Sequence, residues 1–157
     1  MKLFLMNILL AISWCALTAD ASLANFVAGF VVGYAAMAMS PVRKISRGYF
    51  RRLPRILGLL VFFLKELVAS GFRATREVLS PVRKSQPRVI RVDTELRERN
   101  HLLLLSQLIS LTPGTLVLDV DPEEGVLYVH AMFARSEQAF LQELRGGMER
   151  RVREVFD

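Results

Sequence analysis

The chain has 157 residues, 52% of them apolar, and a formal net charge of +6. That length holds one small domain, or a small domain with a membrane anchor. A single cysteine, Cys15, excludes an internal disulfide; it lies in an apolar run, where a thiol behaves as a small hydrophobe, and the bulky Trp14 before it does not suit a lipoprotein cleavage site.

Charge is unevenly placed. Residues 1–39 carry only Lys2 and Asp20, whereas fifteen Lys/Arg and five Asp/Glu lie between Arg43 and Arg99. A basic excess points to nucleic acid or to an anionic membrane surface. Here the cations flank apolar segments, so the expected partner is the bilayer with its anionic lipid head groups, and no nucleic acid is expected.

Leu3–Thr18 and Leu23–Met39 are two uncharged apolar runs, each near the lower length limit for a membrane span. Only Ala19, Asp20, Ala21 and Ser22 separate them, which forces an antiparallel hairpin. Lys2, the first run and Ala19-Asp20-Ala21 also fit a cleaved leader, but the second run follows at once, which a leader does not require. Gly29-Phe-Val-Val-Gly33 has the small-xxx-small spacing that lets helices approach closely in lipid. Gly29 and Gly33 are therefore expected at a helix-packing surface, either inside the hairpin or against a larger membrane partner.

Arg43, Lys44, Arg47, Arg51, Arg52 and Arg55 follow the second run. The positive-inside rule puts them on the cytoplasmic side, at the membrane surface, with Asp20 outside. The third apolar stretch, Ile56–Phe72, is also followed by cations, so both of its ends favour the same side. On a helix, Gly58, Phe62, Lys65, Glu66, Ala69, Ser70, Arg73, Arg76 and Glu77 form a polar or small stripe. Leu59, Leu60, Phe63, Leu64, Leu67 and Val68 form the opposite face. This predicts an amphipathic interfacial helix rather than a third span. Ser40-Pro-Val-Arg-Lys44 recurs as Ser80-Pro-Val-Arg-Lys84, and each copy suits the end of a helix.

Arg88–Asp93 alternates and reads as a strand. Thr94 or Asp93 is expected to cap a helix running to about Ser110, with Glu95 in its first turn and Leu102, Leu105 and Ile109 buried alongside Leu104 and Leu108. Thr112-Pro-Gly-Thr115 breaks it, Thr112 and Thr115 fixing the turn through their hydroxyls. Thr115–Val120 and Val126–Phe133 form a hairpin around Asp121-Pro-Glu-Glu-Gly125, with Leu116, Leu118 and Val120 expected on one face. Ser136 caps a last helix bearing Phe140, Leu144, Met148, Val152, Val155 and Phe156, and Gly146-Gly147 weakens its middle.

The expected fold is thus a membrane protein with an α-helical N-terminal hairpin (1–39). A basic loop and amphipathic interfacial helix (40–87) follow, then a small cytoplasmic α+β domain of order β-α-β-β-α (88–157).

No phosphate loop, dinucleotide fingerprint or metalloprotease motif occurs. His101 and His130 lack metal-ligand spacing, and Asp119 could pair with His130 across the hairpin as a sheet contact. No catalytic, cofactor or metal site, and no enzyme activity, is expected. A conducting subunit needs ionisable groups within the bilayer; the two runs contain none apart from tyrosine and cysteine.

Ser106–His130, SQLISLTPGTLVLDVDPEEGVLYVH, resembles the E subunit of the Mrp-type multisubunit Na⁺/H⁺ antiporter family. The resemblance rests on a leucine-rich helix, Ile109-Ser-Leu-Thr-Pro-Gly-Thr-Leu116, Asp119-Val120 and Leu127-Tyr-Val-His130; Ser110 stands where threonine is common. Thr112, Pro113, Gly114, Thr115, Asp119, Tyr128 and His130 are the motif positions, expected to be structural. The resemblance implies an accessory or assembly subunit of a cation (Na⁺ or K⁺)/proton antiporter complex of the bacterial inner membrane. Its partners would be other membrane subunits, which carry the ion path. The alternative is a membrane-anchored adaptor recruiting a soluble partner through its C-terminal domain.

Overall fold

The computed structural model describes residues 2–41, 47–81, 85–134 and 136–157. The chain divides into two compact units, Met1–Pro54 and Arg55–Asp157.

In the first unit, α1 (Lys2–Thr18) and α2 (Leu23–Met39) pack side by side. Ser22 starts α2 as its N-cap, its hydroxyl accepting from the Asn25 amide. Asp20 holds Ser22 in turn, accepting from its amide at 2.8 Å and its hydroxyl at 3.0 Å. Ser40 ends α2, its amide donating to the Ala36 and Met37 carbonyls. Among the described residues no helix is long and apolar enough to cross a membrane. At 17 residues each, α1 and α2 rise about 25 Å, short of the roughly 30 Å of a bilayer's hydrocarbon core.

A long helix, α3 (Arg47–Val78), starts in this unit and continues into the second. It begins well before Ile56 and runs through Pro54. Its two sides differ from the expected stripes. Leu59 is buried, and Phe62 and Phe63 pack on the same core; Ser70 is buried too. Leu57, Leu60, Val61, Leu64, Val68 and Phe72 are exposed. The split of expected sides has a packing cause: Phe62 fits a helical turn containing Gly147, where a Cβ would lie only 3.0 Å from the Phe62 ring. Large aromatic area is thereby buried on the side that the polar stripe had been assigned.

The rest of the second unit is β1 (Arg88–Asp93), α4 (Arg99–Leu111), β2 (Thr115–Asp121), β3 (Val126–Ala131), α5 (Glu137–Leu144), a π-helical turn (Arg145–Glu149) and α6 (Arg150–Phe156). The sheet is antiparallel in the order β1-β3-β2. Ile90 and Val92 of β1 and Leu127, Val129 and Ala131 of β3 face one side. There they meet Leu102, Leu105 and Ile109 of α4, and Leu144, Met148, Val152 and Val155 from the chain's end. Each fully buried Leu, Ile or Val contributes about 1.5–3 kcal/mol relative to exposure.

Two expectations are corrected here. Neither Asp93 nor Thr94 caps α4: the helix starts at Arg99 with Glu98 before it and no side-chain cap. Thr94 closes a local turn instead, its amide donating to the Gly125 carbonyl and its hydroxyl accepting from the Leu96 amide. That turn buries Leu96, which favours it over an earlier helix start. Leu116, Leu118 and Val120 do not share a face. A β-bulge lies between Val117 and Asp119, which pair with the consecutive Val129 and Tyr128. Leu118 is the extra residue, so Val117 and Val120 both reach the core while Leu116 and Leu118 stay exposed.

Ser136 does cap α5, accepting from the Ala139 amide at 3.1 Å. The diglycine lies within the π-turn, an irregularity that the low helix preference of glycine favours.

Candidate functional site

The Thr112–Thr115 turn is held by its own hydroxyls. The Thr112 hydroxyl donates to the Leu108 carbonyl at 2.9 Å, closing the end of α4. The Thr115 hydroxyl lies 2.6 Å from the Ile109 carbonyl and 2.9 Å from that of Thr112. These contacts occupy carbonyls that a helix end leaves without partners. Ser110 adds a further tie: its hydroxyl accepts from the Val117 amide at 3.2 Å. Gly114 has φ +91°, and a Cβ there would run into the Phe133 ring; both the backbone and the close approach require glycine. Its carbonyl accepts from the Met132 amide at 2.8 Å, tying the turn to the end of β3.

This turn walls a cavity of about 360 Å³ together with α3, Phe133, Ala134 and α5. Phe62, Phe133, Phe140 and Met148 make it apolar, and Glu66, Arg73 and Glu143 carry its charge. Arg73 donates to the Glu66 carboxylate at 2.8 Å. Periodicity places Phe62, Phe140 and Met148 on helices but says nothing about their convergence, because the contact depends on the fold of residues far apart in the chain.

Asp119, Tyr128 and His130 lie elsewhere, on the strands. Tyr128 stands between Arg91 and Asp119, and His130 between Val89 and Leu116. Asp119 and His130 are therefore not paired: Asp119 lies opposite Tyr128 and His130 opposite Leu116, and Asp119 instead accepts from the Val120 amide at 2.9 Å. Tyr128 and His130 are half-buried between buried core residues of β3, and Val89 and Leu116 beside His130 are exposed. Arg91 bonds Asp93 at 3.1 Å and Glu124 at 3.3 Å. The hydrogen bond to Asp93, then its charge, hold the Arg91 guanidinium above its ordinary range.

In the hairpin, Gly29 and Gly33 face α1. A Cβ on Gly29 would come within 2.8 Å of Trp14, and one on Gly33 within 2.6 Å of the Asn7 side-chain oxygen. Trp14 donates to Asn25 at 3.0 Å, and Asn7 donates to the Tyr49 hydroxyl at 3.0 Å. Asn7, fully buried, belongs to the packing and was not singled out by sequence; its one signal is an amide within an apolar run.

Of the basic residues, Arg43 and Lys44 lie outside the described residues, and Arg47 opens α3. Arg51 and Arg52 are exposed, and Arg55 is half-buried. Among the described residues no three His, Cys, Asp or Glu side chains gather as a metal site.

Comparison with known proteins bears on the whole chain. The family described as Na+/H+ ion antiporter subunit matches residues 7–155. The E1 subunit of the Na(+)/H(+) antiporter of Staphylococcus epidermidis is 32% identical, over 97% of this chain and 96% of its own. The E subunit of the Na(+)/H(+) antiporter of Bacillus subtilis is 32% identical over 96% of each. A chain in the structure of the membrane-bound sulfane sulfur reductase, an archaeal respiratory membrane complex, aligns over 99% of both chains. Its TM-score is 0.57 at 22% identity, a likeness of fold alone.

Proposed function

This chain belongs to the E-subunit family of Mrp-type Na⁺/H⁺ antiporters, and from that premise we propose that it is an accessory and assembly subunit of a multisubunit cation/proton antiporter, holding the complex together without lining its ion path. The observation that carries this reading is the chemistry of the hairpin. Neither Leu3–Thr18 nor Leu23–Met39 holds an Asp, Glu, Lys, Arg or His. A proton or cation path needs such groups at membrane depth. Trp14 packs closely on Gly29 and Asn7 on Gly33, and this tight fit of α1 on α2 supports a docking role.

The hairpin inserts in the bacterial cell membrane as a short element, its roughly 25 Å of helix accommodated by local bilayer thinning. Support comes from its many exposed apolar side chains, among them Phe4, Leu5, Leu9, Ile12, Val27 and Val31; so large an apolar surface is characteristic of contact with lipid or protein. The exposed apolar side of α3 lies at the membrane surface. Arg51, Arg52 and Arg55, with Arg43, Lys44 and Arg47, meet anionic head groups on the cytoplasmic side, where the C-terminal domain resides.

Affinity purification of the full chain in mild detergent, followed by mass spectrometry, tests the assignment. Co-purification of large multi-span antiporter subunits is expected. A chain recovered as a lone monomer, in membranes where those subunits are present, would overturn it.

A further inference from the structure

We propose that α3 carries a latched hinge: Pro54 weakens the helix at the Phe50 carbonyl, and the Tyr34 hydroxyl of α2 replaces the missing backbone donor and holds the hinge closed. This goes beyond the assembly role and does not depend on it.

Pro54 lies inside α3. In an α-helix the amide of residue i bonds the carbonyl of residue i−4, and proline has no amide hydrogen. The carbonyl that loses its donor is therefore that of Phe50. Sharp bends in helices gather at such prolines. A backbone carbonyl enclosed without a donor is costly, and in an apolar environment a neighbouring helix supplies the substitute. Here it does: the Tyr34 hydroxyl donates to the Phe50 carbonyl at 3.4 Å, in a partly buried setting.

The hydroxyl is aimed by its surroundings. The Tyr34 ring packs on Phe50 with centroids 5.2 Å apart, and edge-on to Tyr49 at 5.8 Å. Tyr49 is held in turn by Asn7 of α1, whose amide donates to its hydroxyl at 3.0 Å, and by Phe4 at 6.5 Å. Both hairpin helices thus grip the first turns of α3. The grip stops where the backbone is weakest, because the compact unit that contains it ends at Pro54. Four residues on stands Gly58, where a Cβ would meet nothing within 4 Å. No close approach requires glycine there, and its low helix preference softens the same stretch. Latch and hinge belong to different helices, so a small shift of α2 against α3 opens the latch.

Electron–electron distance measurement on the full chain in lipid nanodiscs tests this. Spin labels on cysteines at the exposed Gly48 and Val68, in a C15S background, flank Pro54; a continuous helix puts these positions about 30 Å apart. The unmodified latch should give one narrow distribution. Y34F keeps the ring and removes the hydroxyl, and should raise a shorter-distance population about fivefold, the loss expected for one neutral hydrogen bond. P54A restores the amide that the Phe50 carbonyl lacks, so Y34F/P54A should be narrow again. Amide exchange read by mass spectrometry on the same chains separates unlatching from unfolding: in Y34F the faster exchange should be confined to the stretch around Pro54. A broad distribution with Tyr34 intact would overturn the inference, as would an unchanged distribution in Y34F. So would broadening that persists in Y34F/P54A, or loss of protection throughout α1 and α2 in Y34F, since either would trace the effect to packing of the ring and not to the freed carbonyl.

Discussion

At the scale of single residues, the hairpin depends on one amide. Asn7 is wholly buried, gives its amino group to Tyr49, and sets its oxygen against Gly33. That oxygen has no conventional hydrogen-bond partner. Tyr49 feels the same enclosure. Burial pushes its phenol above the usual value of 10.0, the Asn7 hydrogen bond opposes this, and the neighbouring Tyr34 adds to the rise. The neutral phenol is the form the fold favours. Its stabilisation is therefore complete below pH 10.0 and is lost as pH rises through the elevated folded value. Tyrosine absorbance during alkaline titration of the detergent-solubilised chain should show a late-ionising phenol that disappears in Y49F. A wild-type titration without a late-ionising phenol would contradict this account.

At the scale of elements, the contact between α1 and α2 is a fit of small residues against large ones. Gly33→Leu forces a side chain into Asn7 and Leu10. An overpacked helix contact of this kind costs about 1–3 kcal/mol. Thermal denaturation in detergent should show the hairpin opening at lower temperature, with the C-terminal unit unchanged; Gly48→Leu, where a Cβ meets nothing within 4 Å, serves as the control. Equal destabilisation by both substitutions would refute the packing role of Gly33.

What the sequence made legible at this scale has a physical pattern. Uncharged runs joined by four residues revealed the α1–α2 pair, helical spacing the buried leucines of α4, and a serine ahead of an acidic first turn the Ser136 cap, because each depends on residues close together in the chain. The bulge at Leu118 was not legible: Thr115–Val120 alternates without interruption, and only pairing with β3 decides which residue is skipped. The π-turn was read as two weak helix residues. The contact of Gly147 with Phe62, far earlier in the chain, was equally out of reach of local spacing. For the same reason the motif could be read as a turn but not as a cavity wall.

At the scale of the whole molecule, the distribution of charge frames the topology. Cysteine substitutions at the exposed Ala21 and Glu123, in a C15S background, report on the two sides by labelling with a membrane-impermeant maleimide. Cytoplasmic placement of the C-terminal unit predicts that position 21 reacts in intact cells and position 123 only after permeabilisation. Reaction of position 123 in intact cells would reverse the orientation. The order of the sheet also has a consequence for synthesis. Because β3 lies between β1 and β2, neither earlier strand has a neighbour until the chain has emerged to Ala131. The two N-terminal helices are complete far sooner and can engage the insertion machinery while the rest is still unpaired; at translation rates of about 5–20 residues per second, that interval lasts seconds. A ribosome stalled before Val126 would thus leave a chain able to insert but unable to close its sheet, presenting β1 and β2 to chaperones and proteases.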